Sequence, residues 1–198
     1  MKIASKLPLD REFWLVNTEY VMKKSLAQGF TLIELLIVIA VLGILAVAVL
    51  SAINPIEQIN RSRDTGSRSD SEQLIGAIDR FYATKGYYPW TSGANQDDDL
   101  AWSTVGSGLW TTSSGGVLGQ LSSGGTQELK SSFTDRITGP GYNNLFVYKS
   151  AGQGNSLYVC FIPRSGAFES DSTTRCSGTL PPDFPAEACG TADMSCLP

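Results

Sequence analysis

From Leu35 to Ile53 the chain reads LLIVIAVLGILAVAVLSAI, nineteen residues whose only polar member is Ser51. With Phe30 to Glu34 added the run is 24 residues. At about 1.5 Å per residue such a helix reaches about 36 Å, enough to cross a hydrocarbon core of about 30 Å. The segment 30–53 is therefore expected to be a membrane-spanning helix. Lys23 and Lys24 stand just before it, whereas Arg61 and Arg63 follow at a distance. That asymmetry favours a cytoplasmic N-terminus, with the remainder of the chain on the other side. An ordinary cleaved signal peptide is the alternative, with Leu50-Ser51-Ala52 as its small-residue cleavage site. Such peptides carry apolar regions of about 7 to 15 residues. This one is longer and contains a carboxylate.

That carboxylate is Glu34. At the centre of a membrane helix an acidic side chain costs about 2.5 to 3.5 kcal/mol on insertion scales, so it normally has a partner or a task. Near the helix start the cost falls, because the carboxylate meets the positive end of the helix dipole and reaches towards the interface. A Glu that merely extends to the lipid headgroups is the plain alternative.

The residues before it sharpen the reading. Lys23-Lys24-Ser25-Leu26-Ala27-Gln28-Gly29-Phe30-Thr31-Leu32-Ile33-Glu34 resembles the class III signal sequence of type IV pilins and type II secretion pseudopilins. Six elements coincide: basic leader, Gly, Phe, Thr, Glu and an unbroken apolar run. The resemblance implies that a prepilin peptidase cuts between Gly29 and Phe30, that Phe30 becomes the N-methylated mature terminus, and that Glu34 is the assembly glutamate. Cleavage there creates an α-ammonium beside an apolar helix, and Glu34 is the nearest charge that can neutralise it. The apolar run stays on the mature protein, so the surface that anchors the subunit can also become the core of a filament. Residues 1–29 are then a cytoplasmic leader, longer than usual; Met22 would open a leader of conventional length.

Composition narrows the classes further. The 198 residues carry no histidine, which excludes Ser-His-Asp and Cys-His nucleophile pairs and every His-containing metal site. Residues 1–29 hold five Lys/Arg and three Asp/Glu, while the rest of the chain holds ten and sixteen. So acidic a body argues against broad electrostatic binding of nucleic acid.

Beyond the span, Asn54-Pro55-Ile56-Glu57 reads two ways: Pro55 kinks a continuous helix, or Asn54 caps a fresh one. Ile56, Ile59, Leu74, Ile75, Ile78, Phe81 and Tyr82 recur at three- and four-residue spacing, predicting an amphipathic helix over 54–85 with Gly66 weakening its middle. Lys85-Gly86-Tyr87-Tyr88-Pro89 supplies its stop. Arg61 to Asp70 mixes three arginines with two aspartates and reads as a solvated, salt-bridged helix face, not as a DNA contact.

The remaining stretch, 86–198, is expected to be a globular domain. From Ser103 to Thr126 seventeen of 24 residues are Gly, Ser or Thr, predicting a surface-packed loop with short strands. LFVYK (Leu145 to Lys149) and LYVCFI (Leu157 to Ile162) predict an antiparallel hairpin across SAGQGNS. Cys160, Cys176, Cys189 and Cys196 are candidate disulfide partners with three possible pairings; the most economical expectation ties the Cys-bearing tail to the sheet at Cys160. No C-x-x-C pair occurs, which disfavours zinc. Asp97-Asp98-Asp99 lacks the ordered ligand spacing of a calcium loop and reads as a solvated acidic turn.

The expectation is an α+β, pilin-like subunit: one long N-terminal helix packed on a small antiparallel sheet. The resemblance implies as partners identical or related pilin subunits, the prepilin peptidase, the inner-membrane assembly platform of a pilus or secretion machine, and membrane lipid. It implies single-pass residence in the inner membrane, then a periplasmic or cell-surface filament. No catalytic residue, metal or cofactor is expected. A membrane-anchored binding module or enzyme that does not polymerise is the alternative.

Overall fold

The computed structural model describes residues 29–94, 98–111, 116–122, 127–152, 154–190 and 192–198. Residues 1–28, all but the last of the expected leader 1–29 and including Met22, Lys23 and Lys24, and the acidic-turn residue Asp97 lie outside the described residues. The chain divides into two units, Met1–Leu50 and Ser51–Pro198. The first holds nearly all of helix α1 (Leu32–Ala52), 21 residues with none buried.

The second unit opens on helix α2 (Pro55–Lys85), 31 residues long. Asn54 Oδ1 accepts a hydrogen bond from the Glu57 N–H at 3.3 Å, and Pro55, with no donor to lose, takes the first turn. The local geometry is therefore a fresh helix start. At the far end Gly86 adopts φ 77°, a left-handed conformation that glycine takes without strain, and its N–H returns to Tyr82 O at 2.7 Å. Gly66 does not interrupt the helix.

Two expectations for α2 are corrected. Leu74, Ile78 and Phe81 are buried as the spacing predicts, but Ile56 and Ile59 are 68% and 53% exposed. The stripe packs only where the sheet lies against it. Nor is the face Arg61 to Asp70 wholly solvated: Arg61 and Arg68 do form i,i+4 pairs with Glu57 and Glu72, yet Asp64, Ser67 and Asp70 are buried. Polar residues line up inward there because loops from later in the chain bring donors to them.

Four antiparallel strands follow in spatial order: β1 (Leu100–Thr104), β2 (Leu145–Lys149), β3 (Leu157–Phe161) and β4 (Ser195–Leu197). The β2–β3 hairpin pairs Leu145 with Phe161 and Lys149 with Leu157; β3 pairs Cys160 with Cys196 of β4. Alternation sorts the two faces. Leu145, Val147, Leu157, Val159 and Phe161 join Leu74, Ala77, Ile78 and Phe81 of α2 in the main core. On the opposite face Tyr158, Cys160 and Cys196 are covered by Ala188, with Phe184 and Met194 packed alongside. The arrangement is α+β and pilin-like, as expected.

The Gly/Ser/Thr-rich stretch departs from its expectation. Its described residues contribute the end of β1, a 3-10 turn at Gly108–Trp110 and helix α3 (Gly116–Ser122). Val117, Leu118 and Leu121 recur at helical spacing and all three are buried, as is Trp110. Gly116, at φ +50°, starts that helix against the preceding turn; a Cβ there would lie 2.6 Å from Leu109 O. Helix α4 (Ser131–Ile137) adds Phe133 and Ile137 to the core, and α5 (Gly166–Cys176) runs between β3 and the tail. The tail is bound covalently, with Cys160 joined to Cys196 and Cys176 to Cys189.

Candidate functional site

Helix α1 begins with a side-chain cap. Thr31 Oγ1 accepts from the Glu34 N–H at 3.2 Å, and Thr31 O accepts from the same N–H and from that of Leu35. Thr31-Leu32-Ile33-Glu34 is thus the T-x-x-E pattern of a capping box, which places Glu34 at the third helical position beside the positive end of the helix dipole. The sequence held that signal, although Thr31 has no capping role in the reading above.

Immediately upstream, Phe30 is 83% exposed and Gly29 has nothing within 4 Å of the position a Cβ would take. Both residues are exposed among the described residues. Downstream the helix is apolar on every side: Leu32, Ile37, Leu42, Ile44, Val47 and Leu50 are all more than half exposed. Mean hydropathy over its span is 3.1, and Glu34 is its one charged residue. A helix of this length and composition is able to cross a membrane. An apolar rod with one carboxylate near its tip is built to be covered by lipid or by similar helices.

In the second unit the buried titratable groups hold the fold. Asp64, fully buried, accepts from the Arg164 and Ser165 N–H groups and from Ser165 Oγ at 2.6 to 3.1 Å. Asp70 takes a two-pronged contact from Arg136 at 2.6 and 2.7 Å and a hydrogen bond from the Tyr142 hydroxyl. Burial, then the adjoining Asp70 carboxylate, push the Tyr142 hydroxyl well above its usual range; hydrogen bonding to Asp70 likewise raises Arg136.

Lys149, 1% exposed at its side chain, pairs with Asp98 at 3.0 Å and points its ammonium at the carbonyls of Ser150 and Gly152 and the ring of Tyr88. Burial pushes the Asp98 carboxyl up, but the Lys149 hydrogen bond and charge outweigh it and hold it below its usual range. Burial raises the Tyr88 hydroxyl to about 12. Asp98, read from sequence as part of a solvated acidic turn, is in fact the counter-ion of a buried lysine. Among the described residues no group of three or more Cys, Asp or Glu is placed to hold a metal ion. The four candidate cysteines are all bonded to one another.

Comparison with known proteins points to the same N-terminal segment. Residues 24–50 match the prokaryotic N-terminal methylation motif. Over 68 residues the chain is 40% identical to fimbrial protein EcpC of Eikenella corrodens, a stretch covering 34% of this chain and 43% of that relative. The chain thus spans less than half the length of the curated relative it matches. No solved structure matches it significantly. The motif, the fimbrial relative, the two disulfides and the apolar helix fit a type IV pilin-like, membrane-anchored protein with a structural role.

Proposed function

We propose that this chain is the precursor of a filament subunit, cut between Gly29 and Phe30 by a prepilin peptidase, N-methylated on Phe30, and polymerised into a type IV pilus or a type II secretion pseudopilus. One observation carries the reading: a helix exposed and apolar on every side bears a single carboxylate, Glu34, within the methylation motif. A mere anchor has no use for Glu34, whereas a cut at Phe30 creates the cation that Glu34 neutralises. The ammonium and the carboxylate then pair within one subunit or across to a neighbour as the apolar helices bundle.

The proposed route has the precursor in the inner membrane as a single-pass protein, N-terminus cytoplasmic. An assembly platform then extracts the processed helix from lipid into a bundle of identical or related helices, which exchanges one apolar surrounding for another. The work of polymerisation is therefore small, and the direction of transfer is set by the platform and by the buried charge pair.

Intact-mass analysis and electron microscopy of sheared surface material test it together. The expected product starts at Phe30 with one added methyl group and is found in filaments. A terminus at Ile53 would instead identify an ordinary signal peptide. An uncut, filament-free chain would identify a simple anchor.

A further inference from the structure

Charge in the second unit is distributed unevenly. Two clefts, of about 450 and 240 Å³, meet at Arg136, which lines both. The larger also takes in Lys130, the smaller Arg63 and Arg164. Asp70 occupies Arg136, and Glu128 occupies Arg80. Arg63, Lys130 and Arg164 are exposed and take part in no ion pair among the described residues. Three uncompensated cations therefore collect along one groove of an acidic chain.

The opposite sign collects on the other side of the loop that carries Arg164. Ile162 and Pro163 line a cleft of about 250 Å³ together with Glu169 and Asp193. Glu169 of α5 is exposed and Asp193 half-buried, and neither enters an ion pair among the described residues. Two unsatisfied patches of opposite sign thus flank the segment 162–165 on one chain.

We infer that the groove lined by Arg63, Arg136 and Arg164 receives the acidic edge of a second copy of this chain, Glu169 and Asp193 foremost. The contact is heterologous: different patches meet, so a joined pair keeps one free basic patch at one end and one free acidic patch at the other, and the series stays open. This rests on the filament reading above and gives it a specific intersubunit surface outside the apolar helix. Complementary potentials of this kind set register and exclude wrong partners more than they add affinity. A polyanion such as nucleic acid is the competing occupant, but a groove whose unpaired cations among the described residues are Arg63 and Arg164 makes few of the phosphate contacts that such binding needs.

The test is charge reversal with rescue, in full-length protein in the assembling cell, read as sheared filament relative to processed subunit in the membrane. Arg63→Glu with Arg164→Glu should lower filament yield about tenfold or more, because attraction becomes like-charge repulsion at both positions. Glu169→Arg with Asp193→Arg should do the same, and all four changes together should recover yield to within about threefold of wild type. Thermal midpoints of the solubilised variants check that each folds. Undiminished yield in both double variants overturns the interface alone, as does a loss that the combination fails to rescue. Absence of filaments in the wild type removes the filament reading and the interface with it.

Discussion

Asp64 and Ser165, 101 residues apart in the chain, are joined by two hydrogen bonds to one carboxylate oxygen, at 2.8 Å from the Ser165 N–H and 2.6 Å from its hydroxyl. The Arg164 N–H donates to the same carboxylate, so a buried side chain in the first half of α2 gathers the turn that launches α5. Asp64→Ala leaves these donors buried or half-buried without an acceptor. The expected loss is about 2 to 4 kcal/mol, at about 1 to 3 kcal/mol per unsatisfied group with partial rehydration. Thermal unfolding of the detergent-solubilised chain, followed by tryptophan fluorescence, should show a midpoint lower by several degrees. An unchanged midpoint would mean the turn forms without its acceptor.

The Asp70 cluster gives a graded expectation. Arg136→Ala strips a nearly buried carboxylate of its two-pronged partner, whereas Tyr142→Phe removes a single hydrogen bond. The arginine is half exposed, which places the first loss at about 2 to 3 kcal/mol, below that of a fully buried pair. The second should be about 1 kcal/mol. Denaturant midpoints decide it, and equal losses would contradict the cluster as described.

Asp98 and Lys149 predict a response to acid. The Asp98 carboxyl is held below its usual range, so its pairing stabilises the fold above the unfolded value of about 4 and is lost as pH falls through the lower folded value. Wild-type midpoints should drop more steeply than those of Asp98→Asn between about pH 4 and pH 2. Parallel curves for the two proteins would show that the pair carries no proton linkage.

Removing the two disulfides should not have equal effects. Cys160–Cys196 closes a separation of 36 residues and Cys176–Cys189 one of 13. Loop-closure entropy makes the longer loop worth about 1 kcal/mol more, within a usual range of about 2 to 4 kcal/mol each. Paired Cys→Ser variants, compared by thermal unfolding after non-reducing peptide mapping has verified the pairing, test the order. A larger loss from the short loop would contradict it.

Glu34→Ala should leave insertion and cleavage intact, since the charge itself is what opposes burial in lipid. Assembly should fail, because an unpaired α-ammonium among apolar helices forfeits about 3 to 5 kcal/mol, two to three orders of magnitude in a polymerisation constant. Processed subunit held in the membrane with little sheared filament is the expected result. Normal filament yield would reduce Glu34 to a tolerated interfacial residue.

Legibility in the sequence followed the range of the forces involved. The ends of α2 are written in Asn54-Pro55 and Lys85-Gly86, and the β2–β3 hairpin in two aromatic, β-branched runs, because capping and local pairing act within a few residues. Strands β1 and β4 are not marked in this way. LAWST becomes a strand by pairing with β2, and the three residues of β4 by a covalent tie to β3. Asp64 and Asp70 look like surface charges until donors from about 66 to 101 residues away arrive, and no local period announces that. At the N-terminal site Gly29, Phe30 and Glu34 are legible as a motif, and the T-x-x-E spacing of Thr31 and Glu34 carries the capping signal as well.

Helix α1 has no polar face and no bulky side that would favour one neighbour direction over another. Turning such a rod about its own axis replaces one aliphatic surface with a near-equivalent one, so the contact energy is almost flat in azimuth. Sliding is different. A displacement of one turn, about 5.4 Å, carries Glu34 away from any fixed cation and exposes the cost of an isolated charge. A bundle of these helices would therefore turn easily only over angles small enough to keep Glu34 beside its cation and would resist axial slip, with a single carboxylate per rod acting as the index mark for both.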